Sequence, residues 1–269
     1  MLMVGCADLE PDPEPETERE PVRIVSMNIW HDQSDWEGRL GMMIDTFRVL
    51  MPEVICLQEV LEHPAMPNQA RLIADSLGYE HHFASVDTAG HPRRLGNAVL
   101  LRGSISEASE SHLDHLGDRR SVAHVQTELE GRSVDVYCTR LHYAEGDTAD
   151  IIREEQVGQL IAFIDSTADA DMVVVAGDLA AEPDADVLEP LRSAYFDTYE
   201  LSGVTSVRPT SLNPFIGHRP RWVDYVFVDD ERLDVRSVRT MFVSPDPSGL
   251  WASDHFGVLV ELHMRRSRR

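Results

Sequence analysis

Five short segments end an apolar run on polar groups that the run does not explain, and a sixth sets a polar pair just before the last run. They are Ser26-Met27-Asn28, Leu57-Gln58-Glu59, Thr139-Arg140-Leu141-His142, Ala176-Gly177-Asp178, Trp222-Val223-Asp224 and Ser253-Asp254-His255. Strand ends at one edge of a sheet can converge on a single pocket. Phosphoester hydrolysis needs such a pocket, with hard oxygen ligands for a magnesium ion, a carboxylate to orient or deprotonate water, and donors around the phosphate. Taken singly, each segment has an ordinary reading as a capping or solvated polar residue. The set and its order carry the inference.

The elements that must position these groups are legible in the hydrophobic pattern. Val22 to Met27 and Val54 to Leu57 read as strands, and Leu40, Met43, Ile44, Phe47 and Leu50 between them recur at helical spacing. A second helix ends at Leu77-Gly78, with the glycine as terminator. Strands follow at 97–102, 122–129 and 133–139, then a long helix carrying Ile151, Val157, Leu160, Ile161 and Ile164. The wholly apolar run Met172 to Ala176 predicts a strand buried on both faces. Strands at 222–228, 235–243 and 256–262 close the chain. Hairpins mixed with helical crossovers predict an α+β sandwich, and no repeat of 20–50 residues is present.

In order and separation the six segments resemble the endonuclease/exonuclease/phosphatase superfamily, over about Val22 to Leu262. The resemblance implies a four-layer α/β/β/α sandwich with two mixed β-sheets packed face to face, and a Mg2+-dependent hydrolase, with Mn2+ as a substitute. It implies Glu59 as the principal metal ligand with Asn28 beside it, and Asp254 as a further ligand or a pin for its loop. Asp178 would hold the attacking water, and Asp224 would keep His255 protonated for donation to the phosphate. His142 would contact the phosphate or the leaving oxygen. Arg119 or Arg120 stands where some relatives place a phosphate-binding arginine, although a solvated turn pair accounts for both better. Asn97 in Gly-Asn-Ala-Val-Leu matches a strand start of the family and supports the site from behind. One position departs from the pattern: the family's Gly-Asp-x-Asn reads Gly177-Asp178-Leu179-Ala180 here. Loss of a preorganised donor typically costs about 10²–10³ in rate, so slow turnover is expected.

Net charge and cysteines bound the remaining choices. The formal net charge is −23, and every cationic side chain is Arg. Residues 7–20 hold seven acids and one Arg and the last five residues hold four Arg, which leaves the body at about −21. An acidic body repels polyanions unless arginines cluster at one site or salt is high. A salt-loving host would produce the same composition, and charge would then say little about substrate. The leading expectation is a small or lipid-linked phosphoester, and the alternative within the family is a DNA or RNA nuclease. A non-catalytic phosphate-binding module is the alternative outside it, resting on Ala180 alone. The segment 208–222, with Arg219, Arg221 and Trp222 just before Asp224, reads as a substrate-recognition loop or as a solvated basic loop.

Cys56 and Cys138 lie in apolar strand-like runs and read as inert buried thiols. Met3-Val4-Gly5-Cys6 before an acidic, Pro-rich stretch resembles a bacterial lipoprotein box and its tether, although five residues are too few for a charged and an apolar leader region. The expected organisation is a lipoprotein-like start and linker over 1–21, one domain over 22–264 and a basic tail over 265–269. A monomer is expected, at the cell envelope or otherwise outside the cytoplasm if Cys6 is a tether and cytoplasmic if it is not.

Overall fold

The strand and helix periods of the sequence resolve into two six-stranded sheets flanked by helices. A computed structural model describes residues 20–204, 210–230 and 233–264. Cys6, the acidic linker up to Arg19, Arg208 and the 265–269 tail lie outside the described residues.

The chain runs β1 (Val22–Asn28), α1 (Trp36–Leu50), β2 (Val54–Glu62), α2 (Gln69–Leu77), β3 (Glu80–Ser85), β4 (Arg94–Leu101), β5 (Glu107–His115), β6 (Asp118–Leu129) and β7 (Arg132–Arg140). It continues with α3 (Asp147–Thr167), β8 (Met172–Asp178), α4 (Glu189–Ala194), β9 (Phe196–Asp197), α5 (Thr198–Leu201), β10 (Asp224–Val228), β11 (Asp234–Met241) and β12 (Gly257–His263). One sheet has the order β11-β12-β1-β2-β4-β3, the other β5-β6-β7-β8-β10-β9. Both are mixed: β1 and β2 are parallel, as are β7 and β8, and their remaining neighbours are antiparallel. The result is the α/β/β/α sandwich.

Period-two alternation decides which side chains enter the space between the sheets. In β1, Val25 and Met27 pack toward α1 and α2, while Ile24 faces the opposite sheet and Ser26 and Asn28 continue its row. In β2, Ile55 and Leu57 go to the helices, and Val54 and Cys56 go inward. The inter-sheet cluster continues under α3 through Val157, Leu160 and Ile164. α1 opens on Asp35, whose carboxylate accepts from Gly38 N at 3.1 Å, and α2 stops at Gly78 with φ +72°.

Three strands went unread in the sequence. β5 is an edge strand of mostly polar, exposed residues, held by its ladder to β6 and carrying Leu113 alone as a fully buried apolar anchor. β3 contains two histidines where an apolar period was sought, and β9 is two residues long.

Candidate active site

The inward rows of both sheets end at the same edge. Arg140, Asp178 and Asp224 are register partners on three neighbouring strands, β7, β8 and β10, so their side chains stand abreast on one face. Asn28 closes β1 in the facing sheet and reaches across, its Nδ2 donating to Asp178 Oδ2 at 3.0 Å and to Glu59 Oε1 at 3.2 Å. Close approach of β7 and β8 requires Gly177, because a Cβ there would lie 1.9 Å from the Thr139 carbonyl oxygen.

Regular alternation would turn Glu59 away from this edge. Instead β2 carries a bulge between Leu57 and Val60, and Glu59 takes φ +56°. The left-handed residue returns its carboxylate to the inter-sheet edge, a strain typical of functional positions. Glu59 Oε1 forms an ion pair with Arg140 Nη2 at 2.9 Å and accepts from Asn28, whereas Oε2 lies 3.7 Å from His31 Nε2. Three further non-glycine residues near the site have positive φ: Trp30, His31 and Ala180.

Opposed carboxylates on adjacent strands repel, and Asp178 and Asp224 are such a pair. Two cations offset them. His255, from the loop before β12, places Nδ1 2.7 Å from Asp224 Oδ2 and Nε2 3.9 Å from Asp178 Oδ2. On the other side, Arg140 Nε donates to Asp178 Oδ2 at 3.0 Å. Burial works against the imidazolium, but the Asp224 and Asp178 carboxylates outweigh it and push His255 up to about 10. Burial likewise opposes ionisation of Asp178, yet His255 and Arg140 hold its carboxyl below the ordinary value. Burial lifts Asp224 to about 6 despite its partner. Asp224 and His255 titrate as a unit, and near neutrality the proton resides on the ring.

Asp178, Asp224 and His255 bring ligand atoms within 4.8 Å of one another, close enough in principle for a metal ion. A protonated ring engaged at Nδ1 offers no lone pair, which makes this trio a poor metal site and a good anion-facing one. A hard cation prefers a carboxylate oxygen, and Glu59 Oε2 is the one left outside the Arg140 and Asn28 contacts, with His31 Nε2 3.7 Å away. Arg140 and Asn28 already engage Oε1.

The other expected residues fall into three groups. His142 lies two residues beyond Arg140, its Nδ1 2.7 Å from Asp118 Oδ2, and Asp118 is also gripped by Arg120 through two bonds of 2.7 Å. His142 therefore joins Arg120 at the flank, while Arg140, quoted in the same segment without a role, enters the carboxylate cluster. Asp254 Oδ2 is 3.0 Å from His218 Nε2, and its main-chain carbonyl accepts from Asn213, so it ties the 210–221 loop to the site. Arg219 and Arg221 both reach Glu145, at 3.3 and 3.1 Å, and Arg221 also reaches Glu182 at 3.1 Å. Trp222 does not serve as a stacking face: it is buried against Tyr199 and Tyr225 because its place just before β10 faces the core. An open cleft of about 220 Å³ runs beside the cluster, lined by Glu59, Asn97, Arg119, Arg120, Ser121 and Arg140. Asn97 donates to Ser121 at 2.7 Å and supports the cleft wall.

Sequence reasoning missed Arg140, His31, Asp118 and Arg39. Arg39 is fully buried in α1 and donates to the carbonyls of Ile29, Trp30, His31, Gln33 and Ala252, fastening the loop after β1 to the loop that carries Asp254 and His255. An arginine at an apolar helical position was the available signal.

Residues 25–255 match the Endonuclease/Exonuclease/phosphatase family. The chain belongs to that family. No curated protein matches the sequence. Among solved structures, an endonuclease/exonuclease/phosphatase family protein from Leptotrichia buccalis is 18% identical, with TM-score 0.72 over 90% of this chain and 100% of its own. One from Bacteroides vulgatus is 18% identical, with TM-score 0.73 over 92% and 100%. D. rerio TDP2, complexed with a single-strand DNA product, is 15% identical, with TM-score 0.74 over 90% and 99%. At these identities the likeness establishes the fold, and family membership makes the chain a hydrolase of the phosphoesterase and nuclease type.

Proposed function

We propose that this protein is a magnesium-dependent phosphoesterase acting on a small or lipid-linked phosphoester. The observation that carries the proposal is the unbroken hydrogen-bonded and ionic chain from Glu59 through Asn28 and Arg140 to Asp178, His255 and Asp224 at one sheet edge. Glu59, with Asn28 behind it, would hold the cation, and manganese would fit the same oxygen donors. When bound, the cation neutralises phosphate charge and favours deprotonation of water. Asp178 orients the attacking water. His255, held protonated by Asp224, donates from Nε2 to a phosphate oxygen as charge develops there.

The acidic body and the pairing of Arg219 and Arg221 with Glu145 and Glu182 favour a small substrate over a long polyanion. A nuclease is the second reading, favoured by Arg119, Arg120 and Arg140 lining one cleft. The test is a panel of bis(p-nitrophenyl) phosphate, a phosphomonoester, sphingomyelin, plasmid DNA and RNA, each with magnesium or with chelator. Magnesium-dependent turnover of the small or lipid substrates supports the proposal, and turnover of nucleic acid alone supports the second reading. No turnover by either the protein or an Ala180→Asn variant would leave a binding module. A Cys6 tether would place the domain at a membrane face, and a Cys6→Ser variant that stays in the membrane fraction of a cell lysate would refute it.

A further inference from the structure

Among the described residues, Arg140 is the one side chain that touches both Glu59 and Asp178 while also lining the open cleft. Its position is fixed by the backbone: Arg140 pairs with Asp178 in the β7–β8 ladder, and the next residue, Leu141, donates to the Asp178 carbonyl at 2.9 Å. The Tyr143 ring lies 5.3 Å from the guanidinium carbon and covers it. Nε donates to Asp178, and Nη2 lies 2.9 Å from Glu59 Oε1 as an ion pair. Nη1 has no acceptor within hydrogen-bond distance among the described residues. Two residues past Asp178 stands Ala180, whose methyl donates nothing.

We propose that Arg140 is a catalytic residue, its free Nη1 and Nη2 hydrogens donating to a non-bridging oxygen of the scissile phosphate between Glu59 and Asp178. The guanidinium geometry suits this, because a planar fork can hold two carboxylates on one edge and present donors on another. No proton or electron pair leaves the arginine. It stabilises charge in place, on a strand rather than a loop. The inference rests on the phosphoesterase reading and names the donor that replaces an amide at position 180.

The test compares the full chain with Arg140→Lys and Arg140→Met. Lysine keeps the charge but cannot reach Glu59, Asp178 and a phosphate together, and it guards against a folding failure of the methionine variant. With magnesium and bis(p-nitrophenyl) phosphate, kcat/KM is expected to fall about 10²–10³-fold in Arg140→Met and by a smaller factor in Arg140→Lys. Affinity for inorganic phosphate, read by calorimetry, is expected to fall at least tenfold in Arg140→Met while Mn2+ affinity, read by paramagnetic resonance, stays within a few-fold. Activity within threefold of the parent in a folded Arg140→Met would overturn the proposal. So would tighter Mn2+ binding with faster turnover, since the arginine would then be a plug in the cation site. Were the parent to hydrolyse nothing, the phosphoesterase reading would fail alone, and the phosphate titration would still decide whether Arg140 holds the anion.

Discussion

Ala180 allows stability and chemistry to be separated at one position. Its φ of +52° places an L-residue with a methyl in the left-handed region. That conformation costs a typical side chain roughly 1–2 kcal/mol and costs asparagine or aspartate less, because their short polar groups bond locally. Ala180→Asn should therefore stabilise the fold by about 1 kcal/mol, whereas Ala180→Asp sets the same backbone gain against burial of a further carboxylate near Asp178. Ala180→Gly relieves the same strain but adds roughly 0.5–1 kcal/mol of unfolded-chain entropy, so its net gain is smaller. The amide alone adds a phosphate donor. Turnover of bis(p-nitrophenyl) phosphate should rise about tenfold in Ala180→Asn, less than the roughly 10²–10³ a sole donor is worth, because Arg140 already serves the phosphate. It should not rise in the other two. Urea unfolding and initial rates on the four proteins decide the matter. Equal stability of the alanine and asparagine forms would refute the strain argument, and equal rates of the asparagine and glycine forms would refute placement of residue 180 beside the phosphate.

Asp224→Asn leaves a buried imidazolium without its anion and should destabilise by about 3–5 kcal/mol in urea titrations, with loss of turnover. In chelator, the raised His255 adds stability that is complete below about pH 6.5 and disappears as pH rises through about 10; this alkaline decline should be absent from Asp224→Asn. Arg39→Met removes donors from five carbonyls and should lower stability by more than about 3 kcal/mol. The slack it introduces between the loops should also raise KM. Glu59→Gln should weaken Mn2+ binding by at least about tenfold, measured by calorimetry, while the melting temperature in chelator changes little.

The apolar periods of the sequence placed β1, β8, β10 and β12 within one or two residues, because buried strands must be apolar on the faces they hide. The polar edge strand β5 had no such period to show, since half of it faces water and its ladder to β6 supplies the order. At the site, Asn28, Asp178, Asp224 and His255 were legible because each ends an apolar run or sits beside one. Glu59 was named for its segment, but the bulge that aims it was not visible, as φ +56° on a glutamate has no residue signature. His142 and Arg140 show the limit most clearly. They are two residues apart, and only the β7–β8 register decides which of them stands beside Asp178.

The proposed cation site lies where Glu59 Oε2 faces the cleft. Crystals soaked in Mn2+ and phosphate, measured for anomalous scattering, address it directly. The predicted result is a manganese peak at coordination distance from Glu59 Oε2, with phosphate density between it, Arg140 and His255. A peak on Asp224 and His255 instead, or none within reach of Glu59, would contradict it.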